Sequence, residues 1–319
     1  MNLIRVLLAS MIGLVCTLAG AQTYPVKPVR IIVPYAAGQG TDIAARTIAE
    51  RLAKNLGQAF FVDNKGGAGG NIGAADAARS APDGYTFIMG TNATHVMNAF
   101  LYDHLSFDAE KDFEPVALVS TFPMLMVAGA QTGFKSLQDV LQAHQANAKA
   151  ADCALPSTTA RLVLDLLKDH TRQNLMGIPY KSSAAAASDL LGAQVPLAID
   201  TVSATRAAVA SGKMIPIAIT SARQSALLPG VKTVAEQGVP GFEVIAWNAL
   251  YAPKGTPADV IKRVSDEVSR ILSQPEVVEK FLQLGHEPAG GTPEQLAQFA
   301  KSERQKWGPL IQKNGIKAN

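Results

Sequence analysis

The chain has 319 residues, 48% of them hydrophobic and 17% charged, with a formal net charge of +3 at pH 7. This is the balance of a compact globular protein, and so small and dispersed a surplus, with no basic stripe, argues against nucleic acid or an anionic membrane surface as partner. The length exceeds what one core usually serves, so two domains of ordinary size are expected.

The first residues have the form of an export signal. Arg5 supplies the cation, Val6 to Leu18 the apolar stretch and Ala19-Gly20-Ala21 the small-x-small cleavage site, so the mature chain is expected to begin at Gln22. A membrane anchor fits less well, because the run is shorter than the roughly 20 residues of a spanning helix and no second run follows. Gly13-Leu14-Val15 lacks the small residues that lipidation at Cys16 would want before it. After cleavage only Cys153 is left, which rules out an internal disulfide. Cys153 lies in an apolar-to-small stretch with no histidine nearby, the setting of a buried hydrophobe rather than a nucleophile.

From residue 29 to about 120 the pattern alternates strand and helix. Val29 to Val33, Ala59 to Val62, Thr86 to Met89 and Pro115 to Val119 read as strands; Asp42 to Leu56 and Ile72 to Ser80 read as helices. Such alternation builds a mostly parallel sheet with helices on its faces. In the first helix Ile43, Thr47, Ile48, Leu52 and Leu56 recur at three-to-four spacing, and Gly57 follows as a left-handed cap. A second alternating stretch covers about 124 to 220, with strands Met124 to Ala128, Val195 to Ile199 and Ile215 to Ile219. Its helices carry a Ser136/Asp139 capping box and stops at Gly192 and Gly212. After a strand at Trp247 to Tyr251 the chain turns to helices opened by Thr256-Pro257 and Thr292-Pro293, each read as a cap followed by proline at the first helical position. This tail is expected to return to the first domain. There is no internal repeat and no floppy linker, so a cleft between two α/β halves is the natural place for a ligand.

Two glycine-bearing loops follow successive strands. Pro34-Tyr35-Ala36-Ala37-Gly38-Gln39-Gly40-Thr41-Asp42 runs into a helix N-terminus, where unpaired amides and the positive end of the helix dipole favour an anion. A dinucleotide fingerprint would need a third glycine where the chain has Ile43. Gly66-Gly67-Ala68-Gly69-Gly70 is not followed by the Gly-Lys-Ser/Thr of a nucleotide loop. Either loop alone could be a tight turn needing positive φ; two after successive strands of one sheet favour a site. No Gly-x-Ser-x-Gly or His-Glu-x-x-His occurs, and His95, His104, His144, His170 and His286 lack metal-ligand spacing, so neither metal nor catalytic triad is expected. His144 and His170 read as solvated; His95, at the end of a strand, can meet a ligand or make a structural hydrogen bond.

These stretches together resemble a family. The segment from Pro34 to Arg46, then Asn64-Lys65-Gly66-Gly67-Ala68-Gly69-Gly70-Asn71-Ile72-Gly73, then Ala81-Pro82-Asp83-Gly84-Tyr85-Thr86 closely resemble the Bug proteins, extracytoplasmic solute receptors of tripartite tricarboxylate transporters. The likeness continues through Pro179-Tyr180-Lys181, Asp189 to Gly192, Asp200-Thr201, Thr233 to Glu236, Trp247 and Ala252 to Pro257. It implies a type II periplasmic-binding-protein fold: two α/β domains, residues 22–122 with 252–319 and residues 123–251, joined by two crossovers with a ligand cleft between them. It implies a receptor without a catalytic step or cofactor that holds a carboxylate by loop amides, hydroxyls and ordered water. It would serve membrane permease subunits and is expected to be a monomer.

Carried onto this chain, the resemblance draws the pocket from Tyr35, Ala37, Gly38, Gly40 and Thr41, from Thr91 and Asn92, and from Ser157, Thr158, Thr159, Asp200 and Thr201, with Trp247 near a crossover. Asp42 is expected to cap the loop and helix rather than touch an anion it would repel. Where relatives often read Gly-Asn-Gly-Ser-Ser-Ser-His, this chain has Leu155-Pro156-Ser157-Thr158-Thr159-Ala160-Arg161. Two readings of Arg161 stand: its planar fork pairs with a second carboxylate of the ligand, or it points to solvent. Asn248 and Arg206 are also atypical for their positions and are candidates to reshape the same wall. Tricarboxylates, dicarboxylates, acidic amino acids and aromatic acids all fit amides plus hydroxyls. The alternatives to transport are a ligand-sensing co-receptor for a membrane kinase and, less well supported, a secreted enzyme.

Overall fold

The structure, a computed structural model, describes residues 24–225 and 228–318. The export signal lies outside the described residues. Among those described, no helix is long and apolar enough to cross a membrane.

Three parallel strands open the first sheet: β1 (Val29–Val33) lies between β2 (Phe60–Asn64) and β3 (Thr86–Thr91). The intervening helices are α1 (Gly40–Leu56) and α2 (Asn71–Ala78), and a short α3 (Asn98–Leu101) follows β3. On α1 the apolar stripe Ala44, Ala45, Ile48, Ala49 and Leu52 is buried against the sheet. Gly57 ends the helix at φ 74°, donating its N–H to Ala53 O.

The two strands read as Pro115 to Val119 and Met124 to Ala128 are one strand, β4 (Phe113–Gly129). Its first half pairs with β9 (Ile245–Pro253), and its second half with β7 (Leu197–Thr201) and β8 (Met214–Ile219). One continuous backbone thus passes from the first sheet into the second. Pro115 is tolerated because the register shifts beside it, at a bulge between Pro115 and Ala117.

The second sheet is completed by β5 (Cys153–Leu155) and β6 (Gly177–Pro179), both parallel and each too short to register as a strand in the sequence pattern. Around it lie α4 (Leu137–Ala146), which starts with the expected Ser136/Asp139 capping box, and α5 (Thr158–Thr171), α6 (Ser183–Leu191) and α7 (Val202–Ala210). The return crossing is fastened by Thr220, which is buried. Its N–H donates to Met124 O at 3.0 Å, and its hydroxyl to Val244 O at 2.6 Å.

One expected boundary moves. β9 pairs antiparallel with β3 and with the first half of β4, so this strand lies in the first sheet and not in the unit drawn as residues 123–251. The reason is register: β9 fills the gap between β3 and β4, and the chain has therefore crossed back before Ile245. Beyond it, α8 (Ala258–Leu272) buries Val260, Val264, Val268 and Ile271 in the same cluster as β1. Then come α9 (Pro275–Gln283), β10 (Glu287–Gly290), which pairs with β4, and α10 (Pro293–Lys313). Thr292 caps α10 as expected, but Thr256 does not cap α8; its hydroxyl donates to Pro253 O at 2.8 Å and the helix starts after Pro257.

Candidate functional site

A pocket of ≈ 380 Å³ lies where the two sheets' loops meet. From the first sheet it is lined by Tyr35, Gln39, Gly40, Thr41, Thr91 and Asn92; from the second by Met124, Ser157, Thr159, Asp200 and Thr201; Phe122 and Ala246 complete it beside the crossings.

The first loop is held by a buried carboxylate. Asp42 accepts from the Gly38 N–H (2.9 Å), from Arg46 Nε (3.0 Å) and from Asn64 Nδ2 (2.9 Å), while Asn64 Nδ2 also donates to Tyr35 O (3.0 Å). Burial opposes the charge on Asp42 most strongly, but Arg46, the Gly38 amide and Asn64 together hold its carboxyl below the usual range. The expected role, fastening loop to helix, is the one the geometry gives. With that charge spent internally, the start of α1 faces the pocket with no side chain capping its first amides.

Two more helices begin at the same place. Ser157 caps α5 by accepting from the Ala160 N–H (3.2 Å), and Thr201 caps α7 by accepting from the Ala204 N–H (3.2 Å). Three positive helix ends therefore converge on a pocket whose lining contains no lysine or arginine. The arrangement favours an anion through backbone dipoles alone.

Gly40 makes this convergence sterically feasible. A Cβ there would come within 2.9 Å of Ser203 Oγ and 3.2 Å of Thr201, across the cleft. Side chains also meet across it: Thr159 Oγ1 donates to Asn92 Oδ1 at 3.2 Å, and Gln39 Nε2 donates to Ser183 Oγ at 3.2 Å and Pro156 O at 3.4 Å. On the first side, the Tyr35 hydroxyl and Thr91 Oγ1 lie 3.1 Å apart. Burial pushes the Tyr35 phenol up to about 12. Asp200, 6% exposed, accepts from the Thr201 N–H at 2.7 Å; burial raises its carboxyl to about 6 against the pull of Ser183 and that amide.

Five of the expected residues lie elsewhere. Ala37 and Gly38 are exposed on the outer turn of the loop, where Gly38 takes φ 83° and serves Asp42. Thr158 packs toward Gly69, where an added Cβ would come within 2.6 Å of its Oγ1. Arg161 sits two residues beyond Thr159, about 200° around the helix, and so points outward, 42% exposed at its side chain and paired with Asp165 at 2.6 Å; of the two readings, the solvent-facing one is observed. Trp247 is turned away by strand alternation. Ala246 faces the pocket, while the Trp247 indole lies on the opposite face, donating to Glu303 Oε2 at 3.0 Å and packing edge-on to Phe299.

The remaining candidates also resolve. Asn248 stands behind the pocket, its Oδ1 accepting from Thr41 Oγ1 at 3.0 Å, whereas Arg206 is exposed on α7. His95 is a buried ring stacked on Tyr251 at 4.0 Å, with Nδ1 2.9 Å from Thr94 Oγ1, and burial together with Arg304 lowers it to about 3. His170 is exposed as expected, with its Nδ1 2.8 Å from Leu166 O. The Gly66 to Gly70 loop does not line the pocket; it backs the first loop, with Gly66 packed against Tyr35 and Ala36. Cys153 is free and buried.

Sequence reasoning passed over Gln39, Phe122, Met124 and Ala246. Gln39 lies inside the quoted loop but is not among the residues the resemblance assigns to the pocket. Alternation against the bulky Trp247 was a usable signal for Ala246. Phe122 and Met124 had none, since only the crossing of β4 brings them to the pocket.

The family model described as the tripartite tricarboxylate transporter family receptor matches residues 44–316. Protein BugT of Bordetella pertussis (strain Tohama I) is 33% identical over 326 aligned positions, covering 99% of this chain and 99% of that protein. The solved structure of R. palustris Rpa4515 with adipate is 32% identical, with a TM-score of 0.89 over 92% of this chain and 99% of that one. MatC from Rhodopseudomonas palustris with bound malate is likewise 32% identical, with a TM-score of 0.84 over 90% of this chain and 100% of that one. On these matches the chain belongs to the tripartite tricarboxylate transporter receptor family, the Bug-type extracytoplasmic solute receptors.

Proposed function

We propose that this protein is exported to the periplasm, binds an organic carboxylate between its two lobes as a monomer and delivers it to the permease subunits of a tripartite tricarboxylate transporter. The observation that carries the reading is the meeting of three helix N-termini, at Gly40, Thr158 and Val202, on a pocket without a basic side chain. Dipoles and amides of this kind suit a carboxylate, and the relatives that hold adipate and malate support the same ligand class.

The residues in contact would be Tyr35, Gly40, Thr41, Thr91, Asn92, Ser157, Thr159, Asp200 and Thr201. Because both lobes contribute, a ligand that touches both favours the closed arrangement by its differential affinity. Phe122, Met124 and Ala246 supply an apolar wall for the ligand's carbon skeleton. The titratable groups of the lining, among the described residues, are Asp200 and Tyr35, which offers no nucleophile paired with a base.

A thermal-shift screen over mono-, di- and tricarboxylates, aromatic acids and acidic amino acids, followed by calorimetry, tests the reading. Saturation at 100 times the dissociation constant should add about 2.7 kcal/mol of stability. Silence across every acid would refute carboxylate capture, and loss of the bound acid on long incubation would point to turnover instead.

A further inference from the structure

The pocket's hydrogen-bonding groups are unbalanced in a way that a plain carboxylate does not correct. Gln39 is 7% exposed and lines the pocket from the first lobe. Its Nε2 reaches the second lobe, donating to Pro156 O and Ser183 Oγ. The Pro156 carbonyl has no hydrogen to give, so the NH2 end of the amide must be the one facing it. That leaves Oε1 as the other end, buried and with no hydrogen-bond partner among the described residues. Buried polar oxygens in native proteins nearly always have a donor.

Asp200 repeats the imbalance. It is buried in the same lining and accepts from the Thr201 N–H and from the Ser183 side chain. Gln39, Ser183 and Asp200 therefore form one chain across the cleft, with the Ser183 hydroxyl receiving from Gln39 and giving to Asp200. Its unused hydrogen-bonding capacity is acceptor capacity. Near neutral pH a simple mono- or dicarboxylate brings only acceptors. Its oxygens suit the helix amides but would face Gln39 Oε1 and Asp200 without a proton to share.

We infer that the ligand is a carboxylate bearing a second group with a hydrogen to give, a hydroxyl or an ammonium, and that Gln39 Oε1 and Asp200 receive that group. The inference rests on the reading of this pocket as a carboxylate site and specifies what else the acid must carry. A site built to hydrogen-bond an OH or NH discriminates strongly against the analogue that lacks it, because the analogue leaves the site's buried groups unpaired.

Calorimetry on the purified protein with matched sets of acids tests this: succinate, malate and aspartate, and adipate with its 2-hydroxy and 2-amino derivatives. The hydroxy or amino member of at least one set should bind ten-fold or more tightly than its unsubstituted parent. Preference for the amino member assigns an ammonium, and preference for the hydroxy member a hydroxyl. Gln39→Met, which keeps length but removes both the carbonyl and the NH2 links to Pro156 and Ser183, should weaken every acid and, beyond that common loss, shrink the preference to about three-fold or less. A merely structural role would weaken both alike and would overturn the assignment to Gln39. Parents that bind as well as or better than their derivatives in the wild-type protein would overturn the inference while leaving carboxylate capture intact. Absence of binding by every acid would remove the underlying reading as well.

Discussion

At the start of α1 no side chain caps the first amides, whereas α5 and α7, which face it, are closed by their own Ser157 and Thr201. The residue in the capping position of α1 is Gln39, and its amide is committed across the cleft to Ser183 and Pro156. The first lobe thus presents unpaired backbone donors, braced by Asp42, Arg46 and Asn64, while the second presents side chains and the carboxylate of Asp200. Backbone donors read charge, since every carboxylate offers the same oxygens. Side chains read the rest of the molecule. On the proposed reading, the amides of the first lobe anchor the acid, and Asp200 of the second lobe with Gln39 reaching to it from the first selects it.

The largest effect expected from breaking this division is at Asp200. Its folded carboxyl, held at about 6 by burial, compares with about 3.9 in an unfolded chain, a difference of about 3 kcal/mol between its two protonation states. The native state keeps the proton more tightly, so the stability from this group is fully present below about pH 4 and is lost as pH rises through about 6. Urea unfolding between pH 4 and 8 should show this decline in the wild type and a flatter curve in Asp200→Asn. Parallel curves would place the pH dependence elsewhere.

Next comes the anchoring side. Gly40→Val puts carbon where Ser203 and Thr201 approach, and overpacking of about 1 to 3 kcal/mol should weaken a bound acid by roughly 5- to 150-fold. Small-angle scattering with ligand should find the variant more open than the wild type; equal compactness would mean that the contact is not needed for closure. Thr159→Val removes one hydrogen bond from second lobe to first, the contact to Asn92. A loss of about 1 kcal/mol in affinity by calorimetry is expected, and an unchanged value would show that the pair re-forms through other partners. Smallest of all is Arg161→Ala, on the same helix but pointing outward. Its partner Asp165 is largely buried but keeps Lys168 at 3.5 Å, so the loss should be up to about 1 kcal/mol of thermal stability, and affinities for mono- and dicarboxylates should not move.

Much of this was readable before the fold was seen. The anion-directed loop, its amphipathic helix and the Gly57 stop follow from local pattern, and the fastening role of Asp42 from charge alone. Misplacements came from treating neighbours in sequence as neighbours in space. Arg161 and Thr159 are two residues apart and Trp247 adjoins Ala246, yet helix rotation and strand alternation send each pair to opposite sides. β5, β6 and β10 escaped notice because three or four residues give no period to detect.

By itself the sequence determined two α/β halves, the family and an anion-directed opening loop, because those depend on periodicity, helix-end chemistry and motif order within short stretches. The tertiary structure decided which residues share the pocket. It made β4 one strand through both sheets, returned β9 to the first sheet, turned Trp247 to the far side and set Gln39 across the cleft from Ser183. Those outcomes depend on register and on contacts between residues more than a hundred positions apart, which no local pattern encodes.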